Sequence, residues 1–315
     1  MQQPRYDSVS VALYDPVALN RNATRNVLYS LGFREIESYA ALDDLRRAMA
    51  TRDFDLVALE GASGEDPVYD FVRRVRRGDI PCNPFAVVVV TTWLPEAQLV
   101  KKVMDCGADD LLTRPFSTAM LGERLRTHAH ARKGFVVTAD YVGPDRRNDA
   151  SRPNSAKLIS VVNSLKMKAV EGKSGFEAQQ AIKAGVSEGR RSVNEERMRR
   201  AAFQIGVIAG FVHQQTSQPD QVVRRADLEK IIQTARELET LSRQEDAVQA
   251  LQTCETIIDV AEKSLNGEDL SQNSQILVRL SVALQVTLTP GSEAGQFRAE
   301  LDETLNRIRA RGRKA

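Results

Sequence analysis

The sequence predicts an α/β domain followed by an all-helical one. Short runs rich in Val, Leu and Ala alternate with segments of helical period up to residue 133. A Pro- and Gly-containing stretch fills 134–155, and from 156 to 315 the strand signal disappears. A length of 315 residues also suits two domains.

Val9 to Tyr14 reads as the first strand and Leu19 to Leu31 as the helix after it, closed by Gly32, where a left-handed C-terminal turn is easiest. Further strands are predicted at Glu35 to Tyr39, Leu56 to Leu59, Ala86 to Val90 and Asp110 to Thr113, with helices between them. A last helix near Thr118 to Arg132 completes five strands and five helices, the pattern of a parallel sheet covered by helices. The stretch GFVVTADYVGPDRRNDASRPNS, with Pro144 and Pro153, is expected to be an extended linker whose apolar start packs onto the first domain. Beyond it, amphipathic stripes run through Leu228, Ile231, Ala235, Leu238 and Leu241, then through Leu251, Cys254, Ile258, Ala261 and Leu265. Two more run through Ile276, Leu280, Ala283 and Leu284, and through Phe297, Leu301, Leu305 and Ile308. Breaks at Pro219, Gly267 and Pro290-Gly291 divide five or six helices, which predicts an antiparallel bundle.

Lys plus Arg number 44 against 42 Asp plus Glu, so a net charge of +2 gives no whole-chain attraction to nucleic acid or anionic membrane. Cys82, Cys106 and Cys254 are far apart and outside any CxxC or Cys/His cluster, which argues against disulfides and zinc and suits a reducing cytoplasm. MQQPRYDSVS lacks an apolar signal core and the apolar run Phe85 to Val90 is too short to span a bilayer, so a soluble, cytoplasmic protein without membrane contact is expected.

Ligands of an open parallel sheet sit beyond the carboxyl ends of its central strands. The residues there are Asp15 after strand one, Glu60 after strand three, Thr92 after strand four and Arg114 after strand five. This order of acid, acid, hydroxyl and cation, with LYDPVALNRNATRNVLYSLGF, FDLVALE, VVVVTTW and GADDLLTRPF around it, resembles the bacterial two-component response-regulator receiver (CheY-like) domain. The resemblance covers almost all of 1–133 and implies a five-stranded parallel flavodoxin-like sheet. It also implies that the cation before Pro115 is aimed into the site by a cis peptide bond.

Set against the receiver pattern, the site is degenerate. Receivers hold magnesium with two acids after strand one, but here Asp15 is followed by Pro16, which cannot ligate, so magnesium binding is expected to be weak or absent. Glu60 stands in place of the nucleophilic aspartate, and Arg114, a wider planar cation, in place of the lysine. Thr92 matches the switch hydroxyl, with bulky Trp93 after it, and Leu111 replaces the aromatic switch partner. Without a metal, phosphoryl transfer should be slow. The longer Glu60 is expected to pair permanently with Arg114 and partly imitate a phosphorylated state; the plainer reading is a decayed site on a domain kept as a docking surface.

Other motifs carry less. KAGVSEGRRSVNEERMRR, from Lys183 to Arg200, has the turn residues of a helix-turn-helix but the wrong spacing, and a loop before a helix capped by Ser192 or Asn194 is expected instead. Arg307, Arg309, Arg311, Arg313 and Lys314 complement the C-terminal end of a helix dipole. His213 in VIAGFVHQQ is read as a helix-end histidine with a structural partner rather than a phosphotransfer residue. His128 and His130 point in different directions and so do not chelate one metal. DYVGPDRR, Asp140 to Arg147, resembles a tail that follows receivers in alphaproteobacterial response regulators. Its Arg146-Arg147 pair is similar to the start of cyclic-di-GMP-binding PilZ domains, but the β-barrel that goes with it is not predicted.

The expected protein is a pseudo-receiver adaptor in phosphorelay signalling, not an enzyme, with a receiver over 1–133, a linker over 134–155 and a helical bundle over 156–315. Its expected partners are signalling proteins, namely a histidine kinase, a phosphotransfer protein or an effector, with a second copy of the chain as a further candidate. Trp93 and Leu111 mark the expected contact surface. The alternatives are a conventional phosphorylated regulator, tolerating Glu60 or using Asp55 or Asp66, and a DNA-binding regulator acting through the C-terminal helices.

Overall fold

The computed structural model describes residues 3–62, 66–93, 96–146, 157–216, 223–289, 291 and 293–312, with side chains to residue 308. Arg147, Pro153, Pro219, Pro290, Arg313 and Lys314, and the side chains of Arg309 and Arg311, lie outside the described residues. The chain divides into two compact units, 1–193 and 194–315.

In the first unit, five strands alternate with helices: β1 Ser10–Tyr14, α1 Ala18–Ser30, β2 Glu35–Tyr39, α2 Leu42–Thr51, β3 Leu56–Glu60, α3 Pro67–Arg77, β4 Val87–Thr92, α4 Ala97–Cys106, β5 Asp110–Thr113 and α5 Thr118–Ala131. The strands are parallel in the order β2-β1-β3-β4-β5, the doubly wound flavodoxin-like order. All six residues of β4 are buried, because a central parallel strand is covered on both faces. Strand alternation divides the apolar side chains between two layers. Val88 and Val90 join Val57 and Leu59 against α2, α3 and α4, through Leu45, Val72 and Val103. Val87 and Val89 join Val11 and Leu56 against α1 and α5, through Leu28 and Leu125.

The described part of the expected linker is folded. β6 Phe135–Val137 and β7 Val142–Pro144 form an antiparallel pair, and Phe135 also bridges to Ile159. Phe135, Val137 and Val142 are buried with Phe85, Ile159 and Val193 in a satellite core. This core is why the division falls at 193, whereas the sequence places the domain boundary in 134–155: the apolar alternation after Gly134 continues the first unit. α6 Ser164–Ala169 adds Leu165 and Ala169 to the α1/α5 layer. The hairpin lies so close to the turn between α4 and β5 that a Cβ on Gly143 would come within 2.8 Å of the Gly107 Cα. Gly107 itself has φ 91, the left-handed region that glycine adopts without strain.

A buried ion cluster fastens this region. Asp109 accepts from Arg76 and Arg132, both at 2.7 Å, and its side chain is 1% exposed. Burial alone would raise the Asp109 carboxyl, but Arg132 and Arg76 hold it down to about 2. Both guanidiniums lie 5.2 Å from the Phe135 ring, and Arg146 donates to the backbone oxygens of Ala108 and Asp109. DYVGPDRR is therefore, through Arg146, a structural clamp.

Residues 183–200 lie within a continuous helix, α7 Gly175–Thr216, so neither a helix-turn-helix turn nor the expected loop with a cap at Ser192 or Asn194 forms. Glycine tolerates the helix here because its missing side chains make room: a Cβ on Gly189 would come within 2.6 Å of the Phe85 ring. The second unit contains the rest of α7 with α8 Arg225–Gln244, α9 Val248–Leu265, α10 Leu270–Leu288 and α11 Ala294–Gly312. Short connections at 245–247 and 266–269 fold α8, α9 and α10 back on one another. The α8 stripe is buried throughout. In α9 the fully buried isoleucine is Ile257 rather than Ile258. In α10 the core face runs through Ser274, Leu277, Ser281 and Leu284, leaving Ala283 exposed, and Ile308 of α11 is 44% exposed. Buried serines displace the α10 stripe because small side chains let helices approach: a Cβ on Gly206 of α7 would lie 3.2 Å from the Ser281 Oγ. No described helix is long and apolar enough to cross a membrane.

Phe135→Ala is expected to lower the unfolding free energy of the first unit by about 3–5 kcal/mol, because the cavity it leaves is walled by two fixed guanidiniums. Urea unfolding of the full chain measures this, and a change below about 1 kcal/mol would mean the hairpin is not part of the cooperative unit.

Candidate functional site

Parallel register aligns the site. Tyr14 pairs with Leu59 and Glu60 with Thr91, so Asp15, Glu60 and Thr91 form a row across the carboxyl ends of three strands. Leu112 pairs with Thr91, and Arg114, two residues further, projects from the same face of the sheet. The Arg114-Pro115 peptide is cis, as the receiver resemblance implies.

Arg114 ties the row together. Its Nε donates to Glu60 Oε2 at 2.7 Å, and its Nη2 donates to Asp15 Oδ2 at 3.1 Å, to the Thr24 hydroxyl at 2.9 Å and to the Thr91 hydroxyl at 3.2 Å. Thr91 in turn donates to Glu60 Oε2. Asp15 Oδ1 accepts from the Val17 amide at 2.8 Å, and Arg21 donates to the Asp15 backbone oxygen at 2.5 Å. Arg114 also stacks 5.1 Å from the Phe116 ring, which fixes the plane of its guanidinium. The Asp15 and Arg114 side chains are 0% and 6% exposed, and Glu60 is 12% exposed.

Of the four residues read from sequence, the structure brings Asp15, Glu60 and Arg114 together, but the hydroxyl that joins them is Thr91 rather than Thr92. Consecutive strand residues face opposite sides, and Thr92 shares the α3/α4 side with Val88 and Val90. The signal that identifies Thr91 was the register of β4 on Glu60, which composition alone does not reveal. Thr24 was also missed; it is a buried threonine on the inward face of α1. Trp93 is 52% exposed, whereas Leu111 is half-buried and packed on the α2/α3/α4 layer. Asp55 lies at the opposite end of β3, where it accepts from Ser10 and Lys168, and Asp66 caps α3 through the Val68 amide. His213 bonds Ser274 through Nδ1 at 3.0 Å, and His128 bonds Asp110 through Nε2 at 3.0 Å.

The donors do not suit a magnesium ion. Pro16 offers no ligand, and the Arg114 guanidinium already lies against both carboxylates that a divalent cation would need. Among the described residues, no group of three or more His, Cys, Asp or Glu could hold a metal.

No protein-family model matches this chain, and none of the curated proteins matches it. Among solved structures, it is similar to an orphan response regulator of H. pylori, at 23% identity over 39% of this chain and 97% of that one, with a TM-score of 0.33. It is also similar to the chemotaxis protein CheY4 of Vibrio cholerae, at 21% identity, 38% and 96% coverage and a TM-score of 0.33. A CheY-like receiver domain protein from Methanospirillum hungatei is 14% identical, with 38% and 90% coverage and a TM-score of 0.33. These likenesses are of fold and cover the N-terminal part of the chain.

Two acids share one arginine in this site, and burial raises both the Asp15 and the Glu60 carboxyl above the ordinary range despite it. As pH falls, the folded chain therefore takes up protons before the unfolded chain does. These groups add stability through the window between their raised folded values and the ordinary carboxylate value, and lose it again as pH rises. Glu60→Gln removes one of these titrations. The gain in unfolding free energy as pH falls from neutral toward the ordinary carboxylate value is expected to be smaller in this variant than in the native chain, by urea titration across that range. An equal gain in both proteins would assign the effect elsewhere.

Proposed function

We propose that the first unit is a receiver-type module of two-component or phosphorelay signalling that acts by protein contact, without phosphoryl transfer. The observation that carries this reading is the Arg114 guanidinium bridging Glu60 and Asp15. Phosphoryl transfer to a carboxylate depends on cations placed to neutralise the incoming phosphoryl oxygens. Here the cation is committed to the two carboxylates, and Glu60 Oε2 already accepts two hydrogen bonds. The arrangement supports a site held in one state, with the Glu60 carboxylate where receivers gain a phosphate.

Partners on this reading are a histidine kinase, a phosphotransfer protein or an effector, and exposed Trp93 beside the site is the proposed point of contact. Neighbouring acids do not favour the phosphorylated alternative, since Asp55 is at the far end of its strand and Asp66 caps a helix. The C-terminal helical bundle serves as the second domain of the adaptor.

Incubation of the purified chain with acetyl phosphate and magnesium is expected to add no phosphoryl mass, and beryllofluoride is expected to leave Trp93 fluorescence unchanged. Stoichiometric uptake on Glu60 or a neighbouring aspartate would replace this reading with an ordinary phospho-switch.

A further inference from the structure

A second concentration of charge lies at the other end of β5 from Arg114. A cavity of about 480 Å³ opens there, between the end of α4, α5 and the residues that follow β7. Its carboxylates are Asp109 and Asp110, and its cations are Arg124, Lys133 and Arg146. Asp109 is already matched twice over, by Arg76 and Arg132 from behind the wall. Asp110 faces Arg124 at 3.6 Å and His128 at 3.0 Å. Arg146 donates to neutral backbone oxygens, and its Nε is buried without an acceptor. The cavity's own three cations thus stand against one carboxylate, Asp110, that is not already matched from behind.

Surplus positive charge lining a cavity calls for an anion with several acceptor oxygens. Phosphate meets this need better than carboxylate, because guanidiniums and a lysine can approach it from different sides. The remaining wall, with Met104, Ala131 and Pro144, suits an uncharged body, and the volume is in the range of small-molecule sites. We infer that this cavity binds a phosphate-bearing small molecule, its phosphate held by Arg146, Lys133 and Arg124 and its uncharged body against Met104, Ala131 and Pro144. Such a ligand would bind directly on the Arg146 clamp and the ion cluster that fasten the hairpin. This site is independent of Glu60 and of whether the first unit takes up phosphate there.

Calorimetric titration of the full chain with adenosine diphosphate, guanosine diphosphate and inorganic pyrophosphate tests the inference. Saturable binding of at least one nucleotide is expected, tighter than that of pyrophosphate and weakened by salt. Lys133→Ala and Arg124→Ala are each expected to weaken it roughly tenfold. Lys183→Ala, on an exposed part of α7 outside the cavity, should leave it unchanged. Three outcomes overturn the inference: no saturable binding at millimolar nucleotide, binding unaffected by both cavity substitutions, or pyrophosphate binding as tightly as the nucleotides.

Discussion

Two ionised carboxylates buried side by side at the carboxyl ends of neighbouring strands need a cation between them, and Arg114 is that cation. Much of the upper end of the first unit is arranged around it. The cis bond to Pro115 and the Phe116 ring set the direction of its side chain, and Thr24 and Thr91 take up donors that the acids leave over. Replacing a lysine by an arginine here changes more than shape. A compact ammonium can serve one carboxylate and a phosphate in turn, whereas a planar fork can engage two acids at once and stay there.

The lower end of the same unit solves a different problem with the same residue type. Arg76 and Arg132 converge on one aspartate, and the backbone oxygens of 84–86 and of Gly107 accept their remaining donors beside the Phe135 ring. Arginine suits this position because it keeps its charge even when fully desolvated, although burial lowers the pKa of Arg76. The hairpin supplies both the aromatic face and the Arg146 clamp, so the sheet and the segment after it are held as one body.

How much of this could be read from sequence depended on the range of the interaction. The five strands and the helices between them follow from local alternation and periodicity, and the structure places them where these predict, with β4 running two residues further to Thr92. Asp15, Glu60 and Arg114 were legible because strand ends in an open parallel sheet are the places to look. Thr91 and Thr24 were not, because one depends on register between strands and the other on which face of α1 meets the sheet. The hairpin was misjudged for a similar reason. Gly, Pro and Asp marked 134–155 as a loop, and the pairing of β6 with β7, the bridge from Phe135 to Ile159 and its packing on Phe85 reveal a strand there. In α10, two buried serines hid the core face from a search for apolar stripes.

The fusion of sheet and hairpin through Gly107 and Gly143 bears on how such a chain can be recombined. A gene fusion that joined a new output module directly after residue 133 would discard Phe135 and Arg146, leaving Phe85 open to water and the Asp109 backbone oxygen without its Arg146 donor. The exchangeable cassette therefore extends well past the last helix of the sheet domain. A shuffling event that respects the fold has to cut within or beyond the long helix that begins at Gly175, which makes 1–133 a poor building block and 1–193 a natural one.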